Sequence, residues 1–383
     1  MHVLIAPDSF KGSLDTTAVA RALADGWQRA RPFDETRLIP LADGGEGTLE
    51  AIKATGGDWL ELPAHAIDPL GRPIRATFLR RGDEAVVEMA MASGLSRLAP
   101  AERDAMAAST FGTGQVIAAA IGLGVRQIVL GLGGSATTDG GAGLLTALGA
   151  RFLDARGNEL AHGGGALADL ARVDLAELSP VLNEVHLTLA TDVTNPLLGE
   201  RGAAATYGPQ KGADPEQVVI LDANLAHLAD VLEAEVGRSI RDHRGSGAAG
   251  GVTASLLAVA DRFASFEIRP GVEVVMELAG FDEALRSSDL VITGEGRVDE
   301  QTGYGKTAQG VARRARDAGV ACICFGGGVM PEGIDALARL GAIVVPVTER
   351  PMTIEQAMAS GPGPLARAAE RTARLVSLPD SGR

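Results

Sequence analysis

Aromatic residues are scarce in this chain, making up 3% of its 383 residues against a hydrophobic content of 46%. A core of this composition is aliphatic and alanine-rich, and the length allows two domains of ordinary size or one large one. Cysteine is nearly absent. Cys322 and Cys324 stand one residue apart, a spacing at which no structural disulfide is expected. So little cysteine suits a reducing compartment, and the expected location is the cytoplasm. Positive charge is also in deficit. The net charge of −14 argues against nucleic acid and anionic membranes as partners, since both call for basic surfaces. No run approaches the ~20 unbroken apolar residues of a membrane span. The opening residues, Met1 to Asp8, lack the basic and apolar regions of a signal peptide. The six histidines show no H-x-H or H-E-x-x-H spacing, which argues against zinc. No G-x-S-x-G elbow is present for a serine hydrolase.

Glycine, by contrast, is abundant: the 50 glycines gather in turns that follow apolar runs. The most informative stretch is Asp289 to Thr302. Its apolar run Leu290-Val291-Ile292 reads as a buried strand, and Gly294-Glu295-Gly296-Arg297 reads as the loop at its carboxyl end. Open α/β sheets bind ligands at that edge.

Strands are expected at His2 to Ala6, Arg37 to Leu41, Gln127 to Leu132, Leu187 to Ala190, Leu290 to Thr293, Val320 to Phe325 and Ala342 to Val347. Ile74 to Arg80 and Ala85 to Met89 read as a hairpin. Helices are expected from Asp15 or Thr16 through Ala30, and over Thr48 to Ala54, Gly114 to Ile121, Gly140 to Leu148, Pro215 to Leu232, Ala248 to Ala260, Thr307 to Ala318 and Gly333 to Leu340. Two more helices fill Thr353 to Leu375. Strand–helix alternation at both ends of the chain predicts a parallel sheet there. The expected architecture is therefore α/β with two domains. A parallel-sheet domain is built from both termini (residues 1–60 and 285–383), and a mixed α/β domain (residues 61–284) is inserted between its halves. The active site is expected in the cleft between them.

Five segments share one pattern of strand, small residue and carboxylate. They lie around Asp8, Asp43, Asp139, Asp192 and Glu295. A single Asp in such a place serves as a helix cap or Asx-turn. Five such carboxylates at strand ends repel one another unless a divalent or other cation joins them. The loop Gly131 to Gly141, leading into a helix, has backbone N–H groups and the hydroxyls of Ser135, Thr137 and Thr138 to cradle phosphate. Gly131, Gly133 and Ala136 also fit a relaxed G-x-G-x-x-A, with Asp154 ending the next apolar segment. The competing reading is thus an NAD(P)-dependent dehydrogenase of a small hydroxy acid. Against it, Asp139 would meet the pyrophosphate at the helix start. Gly305-Lys306-Thr307 resembles the end of a Walker A loop, but Glu300 stands where the first glycine should be. Lys306 remains a candidate phosphate ligand. Lys11, Arg297 and Lys211, each in a glycine-rich loop, are further anion ligands.

Taken together, these loops resemble one family. The segments are Ile5-Ala6-Pro7-Asp8-Ser9-Phe10-Lys11, Ala42-Asp43-Gly44-Gly45-Glu46-Gly47, Gly133-Gly134-Ser135-Ala136-Thr137, Asp192-Val193-Thr194-Asn195-Pro196-Leu197, Gly208-Pro209-Gln210-Lys211-Gly212-Ala213, Gly247-Ala248-Ala249-Gly250-Gly251 and Ile292-Thr293-Gly294-Glu295-Gly296-Arg297. In order and over nearly the whole chain they resemble the bacterial glycerate kinases. Phe325-Gly326-Gly327-Gly328 departs from the Ala-Gly-Ser-like loop expected there. The resemblance implies a Rossmann-like domain made from both termini and ATP-dependent phosphorylation of D-glycerate with Mg²⁺, giving 2-phosphoglycerate in the most similar members. Phosphoryl transfer depends on positioning and charge neutralisation. On that footing Gly133, Gly134, Ser135 and Thr137 are assigned to ATP, and Asp43, Asp192 and Glu295 to the metal. Asp192, Lys11 and Arg297 are assigned to catalysis. Asp8, Ser9, Lys11, Thr194, Asn195, Arg297 and Lys306 are assigned to the substrate. A monomer or homodimer is expected. A metabolite-binding protein without turnover is a third reading, disfavoured because a passive receptor gains nothing from a metal cluster.

Overall fold

The computed structural model describes residues 1–300 and 307–376. Its strands are β1 (His2–Ile5), β2 (Glu35–Leu38), β3 (Leu60–Ile67), β4 (Pro73–Arg81), β5 (Glu84–Glu88), β6 (Gln127–Gly131), β7 (Arg151–Leu153), β8 (Arg172–Asp174), β9 (His186–Ala190), β10 (Ser265–Arg269), β11 (Leu290–Val298), β12 (Ala321–Val329) and β13 (Ala342–Pro346). The fold is α/β. The chain divides into two compact units, the first made of Met1–Asp43, Glu50–Gly57 and Pro270–Arg383, the second of Gly44–Leu49 and Asp58–Arg269.

The first unit holds a five-stranded sheet in the order β13-β12-β11-β1-β2, parallel throughout. Val3, Leu4 and Ile5 of β1 and Val291 and Ile292 of β11 are buried, as the central strands of a sheet covered on both faces must be. Helix Thr16–Ala30 is capped by Asp15, whose side chain accepts from the Ala18 N–H. It turns Val19, Leu23 and Trp27 onto one sheet face, where they join Leu365 and Ala369 of helix Gly363–Val376 in a single core. Counted within this unit, the strand order is 2-1-3-4-5, a doubly wound arrangement that reverses between β1 and β11. Ligands bind at such a reversal, outside the carboxyl ends of the strands.

The second unit holds a six-stranded sheet in the order β10-β9-β6-β5-β4-β3, and a separate antiparallel ribbon, β7-β8. The β4–β5 pairing is the expected hairpin, while β5, β6, β9 and β10 run parallel. Their register aligns Glu88 with Gly131, Gly131 with Ala190, and Ala190 with Arg269. Four strands therefore end in one row, and the loops that follow them leave from the same edge. The core of this unit is aliphatic, with Phe78, Phe152 and Phe263 as its aromatic members.

Four of the elements that carry the loops of interest differ from expectation. β11 and β12 continue through their glycines, pairing Glu295 with Gly326 and Arg297 with Gly328, so Gly294 to Arg297 is strand and not loop. Parallel pairing uses only backbone groups, and glycine does not prevent it. The helix expected over Ala248 to Ala260 is broken: a 3₁₀ turn, Ala248–Gly250, precedes helix Val252–Ala258. Gly250 has φ +71°, and a Cβ there would lie 2.0 Å from the Thr137 carbonyl oxygen. Finally, the helix expected from Gly140 begins at Ala142. Among the described residues no helix is long and apolar enough to cross a membrane.

Candidate functional site

In the first unit the loop after β1 carries the densest chemistry. The Asp8 N–H donates to the Gly294 carbonyl, and Thr293 Oγ1 donates to the Ala6 carbonyl, so this loop is fastened to β11. Thr16, buried, donates to the carbonyls of Pro7 and Leu41, which draws the segment ending in Asp43 alongside. Asp8 is buried, accepting from Thr307 Oγ1 at 2.7 Å and from the Ser9 N–H at 2.6 Å. Burial, and then the charge of Asp43, push its carboxyl up from 3.8 to about 6. Lys11 Nζ donates to Asp43 Oδ2 at 2.8 Å. The charge of Asp43 first, and those of Asp8 and Glu295 after it, hold the Lys11 ammonium above its ordinary value. One cation and three carboxylates thus gather at the β1/β11 reversal. Two glycines here serve packing: a Cβ at Gly294 would lie 2.9 Å from the Phe325 carbonyl oxygen, and one at Gly296 would lie 3.2 Å from Phe10 Cα.

In the second unit the loops after β5, β6 and β9 share the aligned edge. Gly133 lies so close to Gly45 that a Cβ on it would fall 2.3 Å from the Gly45 Cα, which explains the glycine at 133. Glu88, at the end of β5, accepts from the N–H groups of Gly47 and Leu49. Those bonds favour its charged form, but burial outweighs them and raises the carboxyl from 4.5 to about 7. Asp139 is buried and accepts from the N–H groups of Thr110, Gly141 and Gly143 and from Thr110 Oγ1. It is consumed in holding the loop. Lys211, 2% exposed, donates to Ser135 Oγ at 3.0 Å and to the Thr137 carbonyl at 2.6 Å. Burial lowers its pKa from 10.5 to about 7.

The expected residues fall as follows. Asp8, Ser9, Lys11, Asp43, Glu295 and Arg297 lie in the first unit. Arg297 is exposed and pairs with Asp299 at 2.9 Å. Gly133, Gly134, Ser135, Thr137, Asp192, Thr194 and Asn195 lie in the second. Ser135 and Thr137 are buried, Asp192 is half-buried and Thr194 is exposed. The Asn195 side chain is engaged locally, donating to the Arg201 carbonyl and accepting from the Tyr207 hydroxyl. Lys306 lies outside the described residues. Glu88 escaped the sequence reading, since no glycine flanks it and it ends an ordinary strand.

The dinucleotide reading lacks its fold. After β6 and helix Ala142–Ala147 the chain enters the separate β7–β8 ribbon before β9 returns to the sheet beside β6, so the compact strand–helix–strand unit of that reading is not formed by the next strand. Asp154 closes an Asx-turn, accepting from the N–H groups of Arg156 and Asn158. Among the described residues no group of three His, Cys, Asp or Glu side chains could hold a metal by itself. Mg²⁺ in phosphoryl transfer sites takes one or two carboxylates and completes its shell with phosphate and water. The all-oxygen donors Asp43 and Glu295, both bearing on Lys11, fit that lesser demand.

Comparison with known proteins agrees over nearly the full length. The model of the glycerate kinase family matches residues 3–377. A glycerate kinase of Halalkalibacterium halodurans is 44% identical over 98% of each chain. A glycerate 2-kinase of Escherichia coli is 43% identical over 82% of each chain. A crystal structure described as glycerate kinase 2 from Salmonella typhimurium LT2 superposes with a TM-score of 0.82 at 40% identity, covering 98% of each chain.

Proposed function

Since the chain belongs to the glycerate kinase family, we propose that it transfers the terminal phosphoryl group of ATP to the 2-hydroxyl of D-glycerate, giving 2-phosphoglycerate. The observation that supports this best is the gathering of Asp8, Lys11, Asp43 and Glu295 at the sheet reversal, a mixed-charge set suited to an anionic substrate and its phosphoryl donor. Asp8 and Ser9 contact glycerate. Lys11 and Arg297 pair with its carboxylate or with the moving phosphoryl group. The Gly133–Ser135 loop takes the ATP phosphates on its N–H groups, and Thr137 shapes the loop from beneath. Asp192 accepts the proton of the glycerate hydroxyl, oriented by Thr194 and Asn195. A bound Mg²⁺ would supply neutralisation of phosphate charge, with Asp43, Glu295 or Asp192 as the side chains that would hold it, directly or through water.

The test is incubation with ATP, Mg²⁺ and D-glycerate, followed by ³¹P NMR. One ADP should appear for each phosphate ester, and the ester should carry the coupling pattern of the 2-isomer. A 3-phosphate would overturn the regiochemistry. ADP and inorganic phosphate without any ester would overturn the reaction.

A further inference from the structure

Lys211 is the buried cation of the second unit. It sits in the 3₁₀ turn Pro209–Lys211 and reaches the Gly131 to Gly141 loop from below. Gly212 ends that turn at φ +97°, where a Cβ would fall 2.4 Å from the Arg103 carbonyl oxygen, so the turn is locked against Arg103. Within the loop, the hydroxyls of Thr137 and Thr138 are buried without a hydrogen-bond partner. They supply no competing tether. Asp139 fixes the loop's far end, backbone bonds from Ala136 to Ser93 and from Leu95 to Gly134 hold its start, and Lys211 is the side chain that engages Ser135 Oγ and the Thr137 carbonyl.

A serine hydroxyl has one proton and two lone pairs. Lys211 donates to Ser135 Oγ and so occupies a lone pair, which turns the hydroxyl proton away from the ammonium. We propose that Lys211 is a positioning residue: it fixes the Ser135 hydroxyl as an outward hydrogen-bond donor to a phosphate oxygen of the nucleotide. This rests on the reading that the loop binds ATP phosphates. Lys211 touches neither substrate, and its effect passes through Ser135.

The test is steady-state kinetics on Ser135→Ala, Lys211→Met and the double variant, with ATP and glycerate varied separately. Ser135→Ala should raise KM for ATP roughly tenfold, the loss of one hydrogen bond to a charged group. Its KM for glycerate and its melting temperature should stay put. Lys211→Met should raise KM for ATP at least as much, and the double variant should be no worse than Lys211→Met alone, since both changes break the same chain of contacts. Multiplying defects in the double variant, or a defect confined to glycerate, would overturn the inference. So would an unchanged KM for ATP in Ser135→Ala, which decides the matter even if Lys211→Met does not fold. Failure of the underlying reading looks different: the unaltered protein would make no phosphoglycerate from ATP, and both would fall.

Discussion

The two units end their parallel strands in the same kind of sequence, glycine beside a carboxylate, yet they use their charges in opposite ways. In the first unit the charges stand at the strand ends: Lys11 is 70% exposed, and Asp43, Asp8 and Glu295 all bear on it. In the second, the loop after β6 carries Gly133, Gly134 and Ser135, while Lys211, Asp139 and Glu88 lie buried and spend their hydrogen bonds within the fold, on backbone groups and on the hydroxyls of Ser135 and Thr110. A carboxylate after a glycine-rich strand end is therefore ambiguous. What decides its role is whether nearby N–H groups already claim its oxygens. Asp139 is claimed four times over by Thr110, Gly141 and Gly143. Asp43 Oδ2 accepts from the largely exposed Lys11 ammonium.

Two aspartates of the second unit break this comparison most sharply. Asp192→Asn should lower turnover by two to four orders of magnitude, about what a general base contributes, with ATP affinity and melting temperature nearly unchanged. Near-normal turnover would remove Asp192 from the mechanism. Asp139→Asn keeps the shape but aims an NH₂ group at backbone donors. It should cost roughly 3 kcal/mol or more and lower the melting temperature on the order of 10 °C. A melting temperature equal to that of the unaltered protein would show that Asp139 does not hold the loop.

Much of this contrast could be read from sequence, and the part that could not has a physical reason. The parallel strands of the first unit announce themselves as short apolar runs, and β1, β13 and the start of β11 fall where periodicity places them. The continuation of β11 through Gly294, Glu295 and Gly296 was hidden, because glycine signals a turn and its strand pairing depends on a neighbour remote in sequence, Phe325 to Gly328. β3 was hidden because Leu60 to Ile67 alternates weakly and includes Pro63. The gathering of Asp8, Lys11 and Asp43 follows from motif spacing at two adjacent strand ends. The supports Glu88 and Asp139 do not, since their meaning lies in which N–H groups face them.

Glu88 sharpens the contrast through pH. Its carboxyl titrates near 4.5 when exposed and near about 7 in the fold, chiefly because of burial. Between those values the folded chain holds a proton that the unfolded chain has released. Stability from this group is therefore greatest below about 4.5 and falls as pH rises to about 7. The loss is at most on the order of 3 kcal/mol. Glu88→Gln should flatten that part of the profile, so the melting temperatures of variant and parent should converge or cross between pH 5 and 7 in urea- or heat-denaturation series. Parallel profiles would show that the Glu88 carboxyl is ionised throughout this range.

The smallest effect on the fold belongs to Lys11 and Asp43, which tests the other half of the comparison. Their ion pair is close, 2.8 Å, but Lys11 is mostly in solvent and Asp43 is 30% exposed, so screening offsets most of the attraction. Lys11→Met, Asp43→Asn and the pair together should each change stability by less than about 1 kcal/mol, with a coupling no larger. On the proposed function the same variants should cripple turnover, since Lys11 and Asp43 would then face the anionic substrate and its cation. A coupling of several kcal/mol would mean that the pair is as structural as Asp139, and the strand ends of the two units would then be alike after all.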